Sequence, residues 1–570
     1  MQSRAFLRRG KRISTGGFKR PTLPVARFST IAPPPFENAP PKHYAKGSPE
    51  RDELSKTLHQ MKESFPAKIP ITVSGKIINS DTTSKQINPS NHAQVVAEYA
   101  SASTADVNAA IDAALKAKLI WEAMSFDDRA AIFLRAAELV STKYRSEMVA
   151  AVMLGQSKNI WQGEIDGALE TIDFIRQYVA EAGKLFQQQP KIHDKTSWNK
   201  LEYRPLEGFV YAIAPFNFTG LFSTLVAPVS LLGNVVLWKP SDYALHSSWL
   251  LYKIILEAGL PKDVIQFVPG NPQVVTDAVL ARPEFGALSF IGSTEVYREL
   301  IGKIGQATAQ GRYNSYPRII GETGGKNFHL VHGSADVKNA VLNTIRAGFE
   351  YQGQKCSAAS RVYVAESVWP QFKEILVSEL SKIKTGSPDD YRNLVNAVIH
   401  ERAFDRLNDV ITAAKSDPEL ELVAGGQASK AEGFYIHPTV YRSTNPDHDI
   451  MRRELFGPLL AVYVYPDAEF SKTLESIDKS QFALTGSVFV TDPLASREAQ
   501  DKLMHAAGNL YLNTKCTGSA VGQQPFGGSR QSGSNDKSGT VAFLTRYVSV
   551  RTVKEAFDTL DDVHYPSNEA

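Results

Sequence analysis

Short apolar runs alternate with longer amphipathic ones from residue 208 onward. Phe209-Val-Tyr-Ala-Ile213, Asn234-Val-Val-Leu-Trp238, Val264-Ile-Gln-Phe-Val268 and Ala287-Leu-Ser-Phe-Ile291 are brief and mostly apolar at both alternating positions. That pattern predicts strands buried on both faces. Stretches of helical character separate them, at 219–232, 243–258, 272–281 and 294–305. Strands alternating with helices predict a parallel sheet covered on both sides, with ligands at the carboxyl ends of its strands. A second alternating region, from 326 to about 510, holds Arg361-Val-Tyr-Val364, Leu459-Leu-Ala-Val-Tyr-Val-Tyr465 and Gly486-Ser-Val-Phe-Val490. It predicts a second α/β domain.

Upstream, residues 37–100 mix polar turns with extended runs such as Ile71-Thr-Val73. Ser103 with Asp106 then reads as a capping box ahead of Val107, Ile111 and Leu115. Ser125 with Asp128 repeats the device before a helix reaching Val140, and a third helical stretch is predicted over 144–183. Segments 188–205 and 541–560 fit neither pattern. Val548-Ser-Val-Arg-Thr-Val553 alternates, and is expected to be an outlying strand that pairs with another subunit.

Composition removes several function classes. The chain has 570 residues, enough for two or three domains, and only two cysteines. Two distant cysteines make neither a disulfide framework nor a four-ligand zinc site. The net charge is +3, but residues 1–36 carry six Arg, two Lys and no acid. Without those eight, 55 basic residues face 60 acidic ones, which gives no basic groove for nucleic acid. The acid-free segment has the composition of a mitochondrial transit peptide, with Arg27-Phe-Ser-Thr30 as the cleavage zone. Residues 208–238 carry no charge, yet Pro215, Asn217, Pro228, Gly233 and Asn234 interrupt them, so no membrane span is expected.

Cys356 lies in a Gly/Gln/Lys/Ser context unlike an apolar core stripe. A lone Cys commonly fills a core, and becomes a nucleophile only with a base or dipole beside it. Glu322 ends an apolar strand 34 residues earlier and precedes Gly324-Gly325, where backbone and ligand can approach closely. Asn217 follows the first strand of the sheet, where an amide can donate to a developing oxyanion. Gly292-Ser-Thr294 joins a strand to a helix start suited to a diphosphate, although it is not the G-x-G-x-x-G fingerprint. Lys239-Pro-Ser241 ends the second strand, and its Lys and hydroxyl can hold a ribose. His329 and His332 sit three apart in an extended run, on opposite faces, so no metal site is expected there.

Taken together, six runs resemble the aldehyde dehydrogenase superfamily over about 70–560. They are Pro215-Phe-Asn217, Trp238-Lys-Pro-Ser241, Phe290-Ile-Gly-Ser-Thr294, Glu322-Thr-Gly-Gly-Lys326, Gly353-Gln-Lys-Cys356 and Glu454-Leu-Phe-Gly-Pro458. Longer runs, including Glu350-Tyr-Gln-Gly-Gln-Lys-Cys-Ser-Ala358 and Thr517-Gly-Ser-Ala-Val-Gly-Gln-Gln-Pro-Phe-Gly-Gly528, are similar to the branch that oxidises L-glutamate 5-semialdehyde to L-glutamate in proline breakdown. Three positions depart from the wider superfamily: Thr323, Ile291 and Tyr297.

The resemblance implies a Rossmann-type NAD domain, an α/β catalytic domain and a small β oligomerisation flap. It implies Cys356 as nucleophile, Glu322 as base, and Asn217 with the Cys356 N–H as oxyanion donors. NAD would be held by Ala214, Lys239, Ser241, Gly292, Ser293, Thr294, Glu295, Val296, Glu454 and Phe456. NAD is expected over NADP, since Asp242 near Lys239 repels a 2′-phosphate. Ser357, Gly518 and Ser519 would grip the substrate carboxylate, Phe218 and Phe526 its stem, and Glu170 its α-ammonium. The implied division is a transit peptide at 1–30, an extension at 31–69, a cofactor domain at 70–187 and 209–322, a catalytic domain at 323–540, and oligomerisation segments at 188–208 and 541–562. A homodimer or larger homo-oligomer in the mitochondrial matrix is expected.

Overall fold

In the computed structural model, residues 33–78 and 82–569 are described. The leader-like segment at 1–30 and its cleavage zone lie outside the described residues. Five parallel strands form the first sheet, in the spatial order Arg318–Glu322, Phe285–Ile291, Phe209–Ile213, Val236–Lys239, Ile265–Phe267. Period-two alternation splits their side chains between two cores. Phe209, Tyr211 and Leu237 face the helix Thr104–Ala123, whereas Val210, Ala212 and Trp238 face the helix Leu245–Glu257. The second sheet has seven strands, ordered Leu420–Ala424, Thr439–Ser443, Leu459–Tyr465, Ala359–Ala365, Asn327–Val331, Thr485–Phe489, Asn509–Leu512. Only its first pair is antiparallel.

The capping box at Ser103 is present with both reciprocal bonds. At Ser125 the side chain accepts from the Asp128 N–H. The stretch 144–183 is broken rather than continuous. Arg145–Gln156 stops at Ser157 in a left-handed conformation (φ 56°), Ile160–Glu164 restarts from an Asn159 cap, and Ile165–Leu169 is a π turn leading into Glu170–Phe186. Helix 219–232 is also three short turns, broken at Val226 (φ −120°) just before Pro228. A proline there has no N–H to give and crowds the carbonyl four residues back.

The helix Pro49–Glu63 was not anticipated from the sequence. Its buried contacts are Leu54 and Leu58, with a charged opposite face. Val548–Ala556 finds its partner within the chain. It pairs antiparallel over nine residues with Ser197–Pro205, so the two segments that fitted neither domain pattern form one ribbon. No helix among the described residues is long and apolar enough to cross a membrane.

Candidate active site

The carboxyl ends of the first sheet face a cleft of about 880 Å³. The strand Phe209–Ile213 delivers Ala214 and Asn217, and the strand Phe285–Ile291 delivers Gly292 and Ser293. Ser293 caps the helix Thr294–Ala309 through the Val296 N–H, so the first-turn amides point at the cleft mouth. Glu295, Val296, Ser241, Glu454, Phe456 and Cys356 line the same space. Of the cofactor residues expected from the sequence, two do not line it. Lys239 is buried, its ammonium donating to the Pro240 carbonyl (2.9 Å) and to Asp242 (2.7 Å). Thr294 is buried against the Gln531 carbonyl. Arg298, Arg402 and Arg406 line the cleft and were missed, because each reads in sequence as a solvated helix charge.

The nucleophile loop is held in an unusual backbone state. Tyr351, Gln352 and Gly353 are successive left-handed residues, with φ of 49°, 55° and 65°. Such a run costs free energy and persists only when other contacts enforce it. Gln352 enforces it, donating to the carbonyls of Ser157 (3.0 Å) and Ala397 (2.9 Å) and accepting from the Asn396 N–H (3.0 Å). Gln354 accepts from the Ile399 N–H, and its carbonyl receives one amide hydrogen of Asn217 at 3.1 Å. The second Asn217 amide hydrogen stays free for another acceptor.

These constraints present a half-buried Cys356 whose Sγ donates to Glu322 Oε1 at 3.2 Å. Burial pushes the Glu322 carboxyl up to about 7, with the Cys356 hydrogen bond and the Lys537 charge opposing. Burial and the Glu322 charge push the Cys356 thiol well above its usual range, so it holds its proton at rest. A space of about 20 Å³ beside Glu322 and Phe526 has room for roughly one water. The other cysteine, Cys516, is fully buried, its Sγ 3.3 Å from the Ser357 carbonyl, and burial lifts it to about 12. It is a core residue.

On the far side of Cys356 the surroundings are ionic. Ser357 Oγ lies 2.8 Å from Thr517 Oγ1, which joins the nucleophile loop to the run Thr517-Gly-Ser519. Lys158 and Asp166 form a fully buried ion pair at 2.7 Å. The Lys158 ammonium sits 4.0 Å from the Phe218 ring centre and 4.3 Å from that of Tyr351. Asp166 also accepts from the Gly220 N–H at 2.7 Å, tying the turn after Asn217 to the broken helix. Burial raises the Glu170 carboxyl to about 8, reinforced by Asp166 and opposed by Lys158 and Lys355. Behind the loop, Glu350 accepts from Lys355 (3.1 Å) and Lys515 (2.8 Å). Burial alone would raise Glu350, but those two cations hold it below the usual range. None of Lys158, Asp166, Glu350 or Lys515 was foreseen as part of a site.

His329 and His332 point apart as expected for a strand, to Thr344 and Ser334 respectively. Tyr297 stacks on Phe290 (5.3 Å between centres), and Thr323 donates to the Gln531 carbonyl, so two of the departures from the superfamily pattern pack within the walls.

A thiol beside a half-buried carboxylate, an amide donor and a cleft at parallel strand ends make a site for thiol-dependent chemistry on a carbonyl. Residues 77–553 match the aldehyde dehydrogenase family, and the chain belongs to it. It is 52% identical over 550 residues to the mitochondrial delta-1-pyrroline-5-carboxylate dehydrogenase of Emericella nidulans, covering 96% of each chain. Against the mitochondrial enzyme of that name from Homo sapiens the identity is 44% over 530 residues, 93% of each chain. The crystal structure of the delta-pyrroline-5-carboxylate dehydrogenase from Mycobacterium tuberculosis bound with NAD superposes with a TM-score of 0.90 at 41% identity. That match covers 95% of this chain and 100% of the other.

Proposed function

We propose that the chain oxidises L-glutamate 5-semialdehyde, formed by opening of 1-pyrroline-5-carboxylate, to L-glutamate with NAD⁺ as acceptor. The observation that carries it is Cys356 Sγ 3.2 Å from Glu322, on a loop whose next residue, Ser357, bonds the Thr517-Gly-Ser519 run. The cleft suits the cofactor. Its walls combine first-turn amides with arginines for an anion, Arg298, Arg402 and Arg406 among them, and Gly324 leaves space that a Cβ could not share, since it would come within 2.0 Å of Glu454. Ala214, Ser241, Gly292, Ser293, Glu295, Val296, Glu454 and Phe456 are assigned to hold it, with Lys239 and Thr294 behind them.

Glu322 accepts the Cys356 proton, and the thiolate adds to the aldehyde carbon to give a thiohemiacetal. The free Asn217 amide hydrogen and the Cys356 N–H stabilise the oxyanion that forms. Bound NAD⁺ supplies the acceptor for the hydride that leaves this carbon as the thioester forms. With a carboxyl near 7, Glu322 passes the thiol proton to solvent, then takes a proton from water as that water attacks the thioester and returns it to the departing Cys356 sulfur. Cys356 is released and glutamate leaves. Ser357, Gly518 and Ser519 are assigned to the substrate carboxylate, Phe218 and Phe526 to its methylenes. Glu170 is assigned to the α-ammonium, whose arrival would draw off the proton that burial keeps on it.

The cofactor unit comprises 70–187 and 209–322, and the catalytic unit 323–540. The ribbon of 188–208 and 541–562 serves assembly into a homodimer or larger oligomer, in the mitochondrial matrix. The acid-free leader composition and the mitochondrial naming of the relatives support the location. The deciding experiment follows NAD⁺ reduction with pyrroline-5-carboxylate against a panel of simple aldehydes. A wide preference for simple aliphatic aldehydes overturns the carboxylate grip.

A further inference from the structure

Residues 33–44 run as a strap across the protein before the first helix. One end is pinned by ions: the Lys42 N–H and the Tyr44 hydroxyl donate to Glu164 at 2.9 and 2.8 Å, and Arg145 pairs with Glu164 while donating to the Pro40 carbonyl. The other end reaches the loop that follows Thr517-Gly-Ser519.

Asn38 makes that connection. Its Nδ2 donates to Asp173 Oδ2 and to the Val521 carbonyl, both at 2.9 Å, and its Oδ1 accepts from Gln523 Nε2 at 3.0 Å. The Ala39 N–H donates to the other Asp173 oxygen at 2.8 Å. Asp173 lies on the helix Glu170–Phe186, three residues after Glu170. Phe36 covers Gly522 so closely that a Cβ there would come within 2.5 Å of its ring. The loop's own hydrogen bonds, from the N–H groups of Gln523 and Gln524 to the Ala520 carbonyl and from the Ala520 N–H to Gln524, shape it internally. Gly518 and Gly522, at φ of 84° and 80°, leave it two pliant joints. The bonds to Asn38 are those that relate this loop to the helix carrying Glu170.

We infer that residues 36–39 act as a positioning strap, setting the loop 517–524 against the helix Glu170–Phe186 and so fixing the grip on the substrate's carboxylate and ammonium ends. This rests on the assignment of Gly518, Ser519 and Glu170 to that grip. A loop already in its binding shape loses less freedom when substrate arrives.

The test is Asn38→Ala in the full chain, with steady-state kinetics on pyrroline-5-carboxylate and on propanal, and hydrogen exchange of the 518–524 amides. The strap predicts a KM for the semialdehyde raised about five-fold, from the loss of three hydrogen bonds, two of them part-buried. It predicts unchanged kcat, unchanged propanal kinetics and faster exchange in the loop. Phe36→Leu should shift the same quantities in the same direction by less. Equal losses on both aldehydes, or an unchanged KM, overturn the strap as a selectivity element. Ser519→Ala separates this from the underlying assignment. If it weakens semialdehyde use preferentially while Asn38→Ala does not, the strap fails and the grip stands. If Ser519→Ala costs both aldehydes equally, the grip fails, and loop exchange alone decides whether Asn38 holds the loop.

Discussion

On one side of Cys356 the protein is open and built from main chain: strand ends, a helix start and glycines bound a cleft of about 880 Å³. On the other it is closed and built from paired charges: Lys158 with Asp166, and Glu350 between Lys355 and Lys515. The first arrangement follows from topology, since parallel strands must end together at one edge. The second depends on individual side chains whose partners lie 5 to 165 residues away. Substitutions on the open side should therefore change binding alone, whereas those on the closed side should also cost stability.

The largest effect that can break this contrast is at the thiols. Cys356→Ala should lower turnover by more than about 10³-fold, while Cys516→Ala should keep turnover and lower thermal stability. Retained dehydrogenase activity in Cys356→Ala removes it from the nucleophile role. Next, Glu322→Gln should lower kcat by about 10²-fold or more. The base must be ionised to act, so wild-type kcat should rise as pH increases through about 7 and level off above it. The Gln variant should lose that limb; a persisting limb assigns it to another group. On the closed side, Lys158→Met leaves Asp166 charged and unpaired in the interior. A loss of about 3–5 kcal/mol is expected in denaturant unfolding, with partial recovery in Lys158→Met/Asp166→Asn. The smallest change is on the open side. Glu454→Gln should raise the KM for NAD⁺ about three- to ten-fold with unfolding unchanged, and a matching loss of stability would erase the distinction between the two sides.

The same contrast explains what the sequence reveals. Apolar strands such as Phe209–Ile213 and Leu459–Tyr465 announce themselves, because burial on both faces excludes polar residues at every position. The site residues near strand ends inherit that legibility. The helix predicted over 144–183 shows the limit. Its apolar spacing persists through Ser157 and the π turn, and nothing local reveals that Lys158 turns inward to meet Asp166. The same holds for Gln352, whose three bonds to residues 157, 396 and 397 enforce a backbone state that its neighbours in sequence do not suggest. The terminal strand was readable as a strand, but its partner was not, because alternation specifies a face and leaves open whose edge it joins.

The π turn at Ile165–Leu169 carries a further consequence, one of angular phase. Its marker is the Glu170 N–H bonding to the carbonyl five residues back, at Ile165. A π turn amounts to one residue inserted into an α-helix, and one residue is about 100° of rotation. Everything downstream on that helix is therefore turned by about 100° relative to an uninterrupted one. Glu170, beside the buried ions, and Asp173, under Asn38, both owe their bearings to this offset. Rewinding 165–169 as regular α-helix with every residue kept would rotate both carboxylates off their partners together, whereas deleting one residue there would restore the regular winding and leave both in place.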